Sequence, residues 1–305
     1  MNRRQLRLLV ALGEQRNLAR VAEQLNVSPP AVSKSLHDIE RALDAELFRR
    51  GPRGVTPTIF GECMVRHAQV VLAQMDRAAS ELRALRNGSL GSVAVGVLPA
   101  AAPLLVPLAI ARLKREAPLT TVSLRDGTTD SLFPDLQAGR LDLVVGTLPP
   151  PQLAAGLALE TLYEDDVVAV SRIGHPLAGR RRLAPAALPA FPWIIPPSGT
   201  SMGESFRQLL ARLRLPMARN YVESGSIVVN KTLIQRSDAI GFFSRHIAEL
   251  YAEQRIVAVL HIELDARIAP VGAMWADGRP LSPSAELALT CLRREAPLLG
   301  AQATT

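Results

Sequence analysis

The first sixty residues place apolar side chains at helical spacing in three short runs. Leu6, Leu9, Val10 and Leu12 mark one helix, and Val21, Ala22 and Leu25 a second whose start Asn17 is placed to cap. Val32, Leu36 and Ile39, continued by Leu43, form the buried stripe of a third. Asn26-Val27-Ser28 breaks the second run from the third. Ser28 is a natural N-cap, and Pro29 and Pro30 fall in the first turn, where a missing N–H costs little. The face opposite the stripe carries Pro30, Ser33, Lys34 and His37. Residues 47–55 then read as two short strands around a Gly-Pro-Arg-Gly tip, with Arg49, Arg50 and Arg53 on the hairpin. Two short helices joined by a tight turn present the second to a DNA major groove, and a basic hairpin beside it reaches phosphates or a minor groove. The competing account is a small helical bundle with a solvated polar face.

One long helical pattern follows, from Thr58 to about Asn87. Met64, Ala68, Val71, Met75, Ala78, Leu82 and Leu85 are separated by 4, 3, 4, 3, 4 and 3 residues, a heptad seam. A helix of about 30 residues spans about 45 Å and cannot bury this stripe on the reading head alone. Self-association through a coiled coil is the favoured explanation, and packing on the chain's own later part is the alternative. Two heads recognise two half-sites, so pairing also has a reason on the DNA side.

Asn87-Gly-Ser-Leu-Gly91 ends that pattern and opens another. Strands at 92–97, 121–124 and 141–146 alternate with helices through Leu104–Leu113 and 129–138, which predicts a parallel sheet with crossover helices. A second set has strands near 166–171, 192–195, 220–223 and 239–243 and helices near 202–214, 226–236 and 245–253. A late strand, Ala269–Trp275, and a helix over 282–292 return to the first set. The predicted architecture is α/β: an all-α winged helix-turn-helix at 1–57, a linker helix at 58–88, and a two-lobed domain at 89–305. Lobe I takes about 89–162 and 268–305, and lobe II about 163–267.

Composition adds three constraints. Of the net charge of +7, +5 lies in residues 1–87, so the basic excess sits on the reading head. Arg outnumbers Lys by 32 to 3, so an Arg-rich proteome accounts for part of it. Cys63 and Cys291 are far apart and belong to no Cys/His cluster, which gives neither a disulfide framework nor a zinc site. The Leu8–Leu12 stretch is too short for a signal core, and no run approaches the roughly 20 apolar residues of a membrane helix, so a cytoplasmic location is expected.

Leu18 to His37, the Leu47-Phe48 and Arg53-Gly54 wing, and Thr58-x-x-Gly61 at the linker start together resemble the LysR-type transcriptional regulators. Gly139-Arg-Leu-Asp-Leu-Val-Val-Gly146, His175-Pro-Leu177, Pro197-Ser-Gly-Thr200 and Ile240-Gly-Phe-Phe243 resemble that family's effector domain, which is similar to periplasmic binding proteins. The resemblance implies a promoter-binding homo-oligomer, a dimer by the seam and a tetramer by the family pattern. Its response is set by a small molecule between two lobes, with RNA polymerase as a further partner and no cofactor. It carries contact roles onto Ser33 and Lys34, which join Pro30, His37, Arg49, Arg50, Arg53 and Thr58 as the expected DNA-binding residues. Two departures stand out. Pro29 replaces the family's glutamine, and Lys34 stands where arginine is frequent, which removes a base-reading amide and a bidentate guanine contact. Val97-Leu98-Pro99 and residues 191–197 are similar to the branch that includes regulators of aromatic-acid and sugar catabolism.

In such folds ligands bind at strand C-terminal ends, where helix N-termini present free N–H groups. The corresponding positions are Ala100 and Ala101, Thr128 and Thr129, Thr147, then Ser198, Thr200, Ser201, Ser224 and Ser226. They suit a small polar or carboxylate-bearing molecule, although ordinary N-capping explains each Ser or Thr equally well. Pro99-Ala100-Ala101 lacks the hydroxyl residue that many family members carry there. An α/β enzyme is the rival class, but no G-x-S-x-G, Walker, Rossmann or HExxH motif is present. His175 is expected in a surface loop and Glu164-Asp165-Asp166 in a solvated turn. A solute-binding protein without a DNA role is the other alternative.

Overall fold

The computed structural model describes residues 1–51, 54–86, 90–180, 183–262 and 269–300. The chain separates into two compact units, one of Met1–Gly88 with Gln137–Arg140 and one of Ser89–Leu136 with Leu141–Thr305.

The first unit contains α1 (Arg3–Gln15), α2 (Leu18–Gln24), α3 (Pro29–Leu43), an antiparallel hairpin of β1 (Phe48–Gly51) and β2 (Gly54–Pro57), and α4 (Ile59–Arg86). Asn2 and Gln5 form a reciprocal capping box on α1, with bonds of 3.0 and 2.9 Å. Asn17 caps α2 as its position predicts, accepting from the N–H groups of Ala19 and Arg20 at 2.9 and 3.2 Å. Asn26 takes the left-handed conformation (φ 54°) that the turn between α2 and α3 requires, a conformation asparagine tolerates. Ser28 has the extended backbone of a cap, but its side chain makes no capping bond. Pro29 has no N–H to satisfy there. The apolar stripe of α3 also stops short of Leu43, which is exposed because Asp44 closes the helix in a left-handed turn.

The core of this unit gathers Leu6, Leu9, Leu12, Val21, Val32, Leu36, Ile39, Leu47 and Phe48, and Leu8 is buried where Val10 is only partly so. Ala68 of α4 is fully buried in the same cluster, and a Cβ on Gly13 would stand 3.0 Å from Val65, so α1 lies close against the first half of α4.

The second unit holds two five-stranded sheets. The first has the order β4 (Thr121–Asp126), β3 (Ser92–Val97), β5 (Leu143–Thr147), β12 (Val271–Ala276), β6 (Leu157–Tyr163). β3 pairs in parallel with β4 and β5, while β12 is antiparallel to β5 and β6. The sheet is therefore mixed rather than parallel throughout, and β6 was not legible as a strand. As an edge strand it is half-exposed along most of its length and carries Glu160, whose two oxygens each receive a 2.7 Å bond from Arg293. α5 (Leu105–Glu116) and α10 (Pro283–Gly300) cover one face of this sheet, and α6 (Thr129–Gln137) the other. The terminal helix runs beyond the predicted 292.

The second sheet has the order β11 (Ala258–Val259), β7 (Val167–Ser171), β10 (Ile240–Ser244), β8 (Trp193–Ile195), β9 (Tyr221–Glu223). α7 (Ser201–Leu213) packs through Phe206 against Trp193 and Phe242 on one side. α8 (Ile227–Arg236) and α9 (Arg245–Glu253) cover the other through Ile234, Ile247 and Tyr251. The two-residue β11 also went unread. The two sheets with their helices are the two lobes, joined by the segment Glu164–Asp166 between β6 and β7.

Candidate functional site

On the reading head, α3 presents Pro30, Lys34 and His37 to solvent, with Ser33 half-exposed, opposite the buried Val32, Leu36 and Ile39. Arg49 and Arg50 are exposed on β1, and Arg53 lies outside the described residues. The hairpin is held to α3 by Glu40, whose Oε1 accepts the N–H groups of Leu47 at 2.8 Å and Phe48 at 3.1 Å. It is held to α1 by the Val55 N–H, which donates to the Arg16 carbonyl at 2.8 Å. Gly54 (φ 113°) permits that approach, since a Cβ there would overlap the same carbonyl. Thr58 faces inward: its hydroxyl donates to the Glu46 carbonyl at 2.7 Å and accepts the Gly61 N–H at 3.1 Å, which starts α4. None of these clamps was visible in the spacing, because each has a backbone group as one of its partners.

The heptad seam divides. Ala68 is buried in the head and Met64 packs against it, whereas Val71, Met75, Ala78 and Leu82 are exposed. The side chain of Leu85 lies outside the described residues. Ile59 and Phe60, absent from the predicted seam, are also exposed at the helix start, at 78% and 59%.

Between the two lobes lies a cavity of about 470 Å³. Lobe I contributes Ala100, Thr128, Thr129 and Thr147; lobe II contributes Thr200, Ser224 and Ser226. Three predicted residues fall elsewhere or outside description. Ala101 is buried in the lobe I core, because the turn after β3 directs it inward while Ala100 lines the cavity. Ser198 is not on the wall, and its N–H donates to Glu223 Oε1 at 3.1 Å. The side chain of Ser201 is outside the described residues. Sequence reasoning missed the apolar wall: Leu98, Ile194, Pro196, Met202, Phe242 and Ile247 line it, with Asn230 and Ser244. Apolar residues at strand ends and on helix faces read as core, which is why they carried no signal.

The cavity hydroxyls also cap helices. Thr200 Oγ1 accepts the Gly203 N–H at 3.0 Å and Ser226 Oγ the Val229 N–H at 3.4 Å. Asn230 donates through Nδ2 to the Ser224 carbonyl at 3.1 Å and holds that loop on α8. Gly146 (φ 152°) is required beside Thr147, since a Cβ would overlap the Leu98 side chain. Among the described residues no charged side chain lines the cavity. The N-termini of α6, α7, α8 and α9 all reach its wall, so the polarity there comes from helix N-termini and hydroxyl groups. Among the described residues there is no group of His, Cys, Asp and Glu that could hold a metal ion.

Two expected surface features are buried. His175 packs on the Phe191 ring at 4.5 Å, accepts the Leu177 N–H at Nδ1 (3.1 Å) and meets the Asp238 carbonyl at Nε2 (3.2 Å). Burial lowers its pKa below the ordinary histidine value. Asp165 is not in a solvated turn: its side chain is fully enclosed, and Oδ1 accepts the N–H groups of Asp166 at 2.9 Å and Arg245 at 3.1 Å.

A winged helical head together with a two-lobed small-molecule receptor defines a ligand-responsive DNA-binding regulator. The chain belongs to the LysR family of bacterial transcriptional regulators: the model "Bacterial regulatory helix-turn-helix protein, lysR family" matches residues 3–62, and "LysR substrate binding domain" matches residues 86–297. Members are DNA-binding transcriptional regulators with an effector-binding domain, not enzymes. The chain is 34% identical to the HTH-type transcriptional regulator GbpR of Azospirillum brasilense, over 95% of this chain and 85% of that one. It is 31% identical to the HTH-type transcriptional regulator PcaQ of Agrobacterium fabrum, over 92% and 90%. Among solved structures it shares the fold of CbnR, a LysR family transcriptional regulator, with a TM-score of 0.69 at 20% identity, covering 97% of this chain and 99% of that one. Among the described residues no helix is long and apolar enough to cross a membrane.

Proposed function

We propose that this chain is a cytoplasmic, homo-oligomeric regulator whose head, residues 1–57, binds promoter DNA and whose two-lobed domain, residues 89–305, takes a small monoanion with an apolar body. The observation that carries the ligand reading is the uncharged, largely apolar cavity reached by the N-termini of α6, α7, α8 and α9. Its volume of about 470 Å³ is in the range of small-molecule sites. Helix N-termini stabilise one carboxylate, but with no cation among the described residues of the wall a second buried charge has nothing to pair with. On the DNA side, Pro30, Ser33, Lys34 and His37 contact the major groove and Arg49, Arg50 and Arg53 the backbone or minor groove. Thr58 fixes the start of the linker. Dimerisation uses the exposed part of the seam, Val71, Met75, Ala78 and Leu82, together with Leu85 of the same heptad pattern, extended by Ile59 and Phe60. Tetramer formation and contact with RNA polymerase follow the family pattern. Ligand binding shifts lobe closure and thereby promoter occupancy, through differential affinity for the two states.

The test is a thermal-shift screen of the full-length protein against benzoate, phthalate and glucose, paired with salt-dependent binding to the promoter fragment beside its own gene. Stabilisation by the monoacid and not the diacid supports the ligand reading. Specific DNA binding that is missing at moderate salt, in a folded protein, overturns the regulator reading.

A further inference from the structure

His246 is the second residue of α9, between Ser244 and Ile247, which both line the cavity. Its ring is almost fully enclosed and touches three parts of the second unit. Nδ1 stands 3.0 Å from Oδ1 of Asp165, in the segment that joins the lobes. Nε2 stands 2.7 Å from the carbonyl of Leu299, at the end of α10 on lobe I. The edge of the ring system meets Tyr163, at the end of β6 on lobe I, with centroids 4.9 Å apart. Asp165 in turn accepts the N–H of Arg245, the first residue of α9, whose N–H also donates to the Asp166 carbonyl at 2.8 Å.

Both atoms facing the imidazole nitrogens are acceptors. A neutral ring carries one N–H, so either tautomer would set a nitrogen lone pair against a carboxylate or a carbonyl oxygen. Only the imidazolium both donates from Nε2 to the Leu299 carbonyl and sets positive charge beside Asp165 Oδ1, a contact that is an ion pair by distance and not a hydrogen bond. We propose that His246 and Asp165 form a proton-dependent clasp between the lobes, a positioning pair that holds the α9 side of the cavity against lobe I while the ring is charged and releases it when the proton leaves.

The remaining charged groups around the ring agree with this sign. Burial works against its charge, but Asp165, the Leu299 carbonyl and Glu249 outweigh it and raise the His246 pKa above the ordinary histidine value. Glu249 on α9 is itself raised, mainly by burial, and Arg245 lies 3.8 Å from Asp166 and 3.9 Å from Glu249. Burial also raises Tyr163, which stays neutral across the relevant range. A histidine whose folded pKa is raised contributes stability that is fully present below its unfolded pKa, about 6.5, and is lost as pH rises through the folded value. The clasp is therefore closed in mild acid and open in mild base. The inference extends the reading of the cavity as an effector site, but its test needs no effector.

Hydrogen exchange is measured on the full-length protein and on His246→Gln from about pH 6 to about pH 8.5, with protection corrected for intrinsic exchange. In the unaltered protein the amides of Asp166 and Arg245 should lose protection by roughly tenfold as pH rises, while the interior of β7 holds. In His246→Gln their protection should be low and flat. A flat profile in the unaltered protein, or the same pH dependence in the variant, overturns the clasp. Should the variant not fold, ¹⁵N-histidine spectra of the unaltered protein decide: a His246 ring already neutral at about pH 6 refutes the proposal, and an imidazolium persisting above about pH 7 supports it.

Discussion

The two hydrogen bonds that Glu40 accepts tie the last turns of α3 to the start of the wing, and they make a quantitative prediction. Leu47 and Phe48 are buried, so removing the carboxylate in Glu40→Ala leaves two enclosed N–H groups without an acceptor. Each orphaned donor costs about 1–3 kcal/mol, and allowing for partial relaxation the pair should cost about 2–4 kcal/mol of local stability. Glu40→Gln keeps the accepting oxygen and loses only charge assistance, about 1 kcal/mol. The readout is hydrogen exchange of the Leu47 and Phe48 amides in the full-length protein. The alanine variant should lose protection by roughly 30-fold to 1000-fold and the glutamine variant by less than about tenfold. Promoter binding should fall in parallel, since Arg49 and Arg50 ride on β1. Protection in Glu40→Ala within about threefold of the unaltered protein, or equal damage from both substitutions, would refute the clamp.

Three further expectations concern the head, the cavity and the seam. Lys34→Ala should weaken promoter binding and lower the slope of log affinity against log salt by about one, and an unchanged slope removes Lys34 from the interface. Thr200→Val deletes the 3.0 Å bond to the Gly203 N–H at the start of α7 and should cost about 1 kcal/mol while altering the ligand response; an unchanged melting temperature and dose response together count against it. Met75→Asp puts a charge on the exposed seam and should shift sedimentation from dimer towards monomer at micromolar concentration, whereas an unshifted profile places self-association elsewhere.

Elements were legible where one face alternates with another at a regular period. Helices α1 and α2 followed from that pattern as elements, and α4, α7 to α9 and strands β7, β8 and β10 followed within a residue or two. β6 and β11 escaped because an edge strand buries little, and the direction of β12 is a long-range property that no local pattern encodes. For the cavity, Thr128, Thr147 and Ser226 were found through turn chemistry, while Phe242 and Ile247 were indistinguishable from core until the fold opened a space beside them. Asp165 was misjudged for a related reason. A run of three acidic residues reads as solvated, yet two backbone N–H groups and an imidazole make burial of the middle one favourable.

The divided seam of α4 changes how deletions and point variants should be interpreted. Because Ala68 completes the interior formed by Leu9, Leu12 and Val21, a fragment ending at residue 57 exposes an unfinished core, and a minimal DNA-binding fragment has to run past it. A bulky substitution at the fully buried Ala68 would present genetically as a loss of operator recognition by disrupting the core of the head. One at Val71, a single turn later, would present as a loss of assembly.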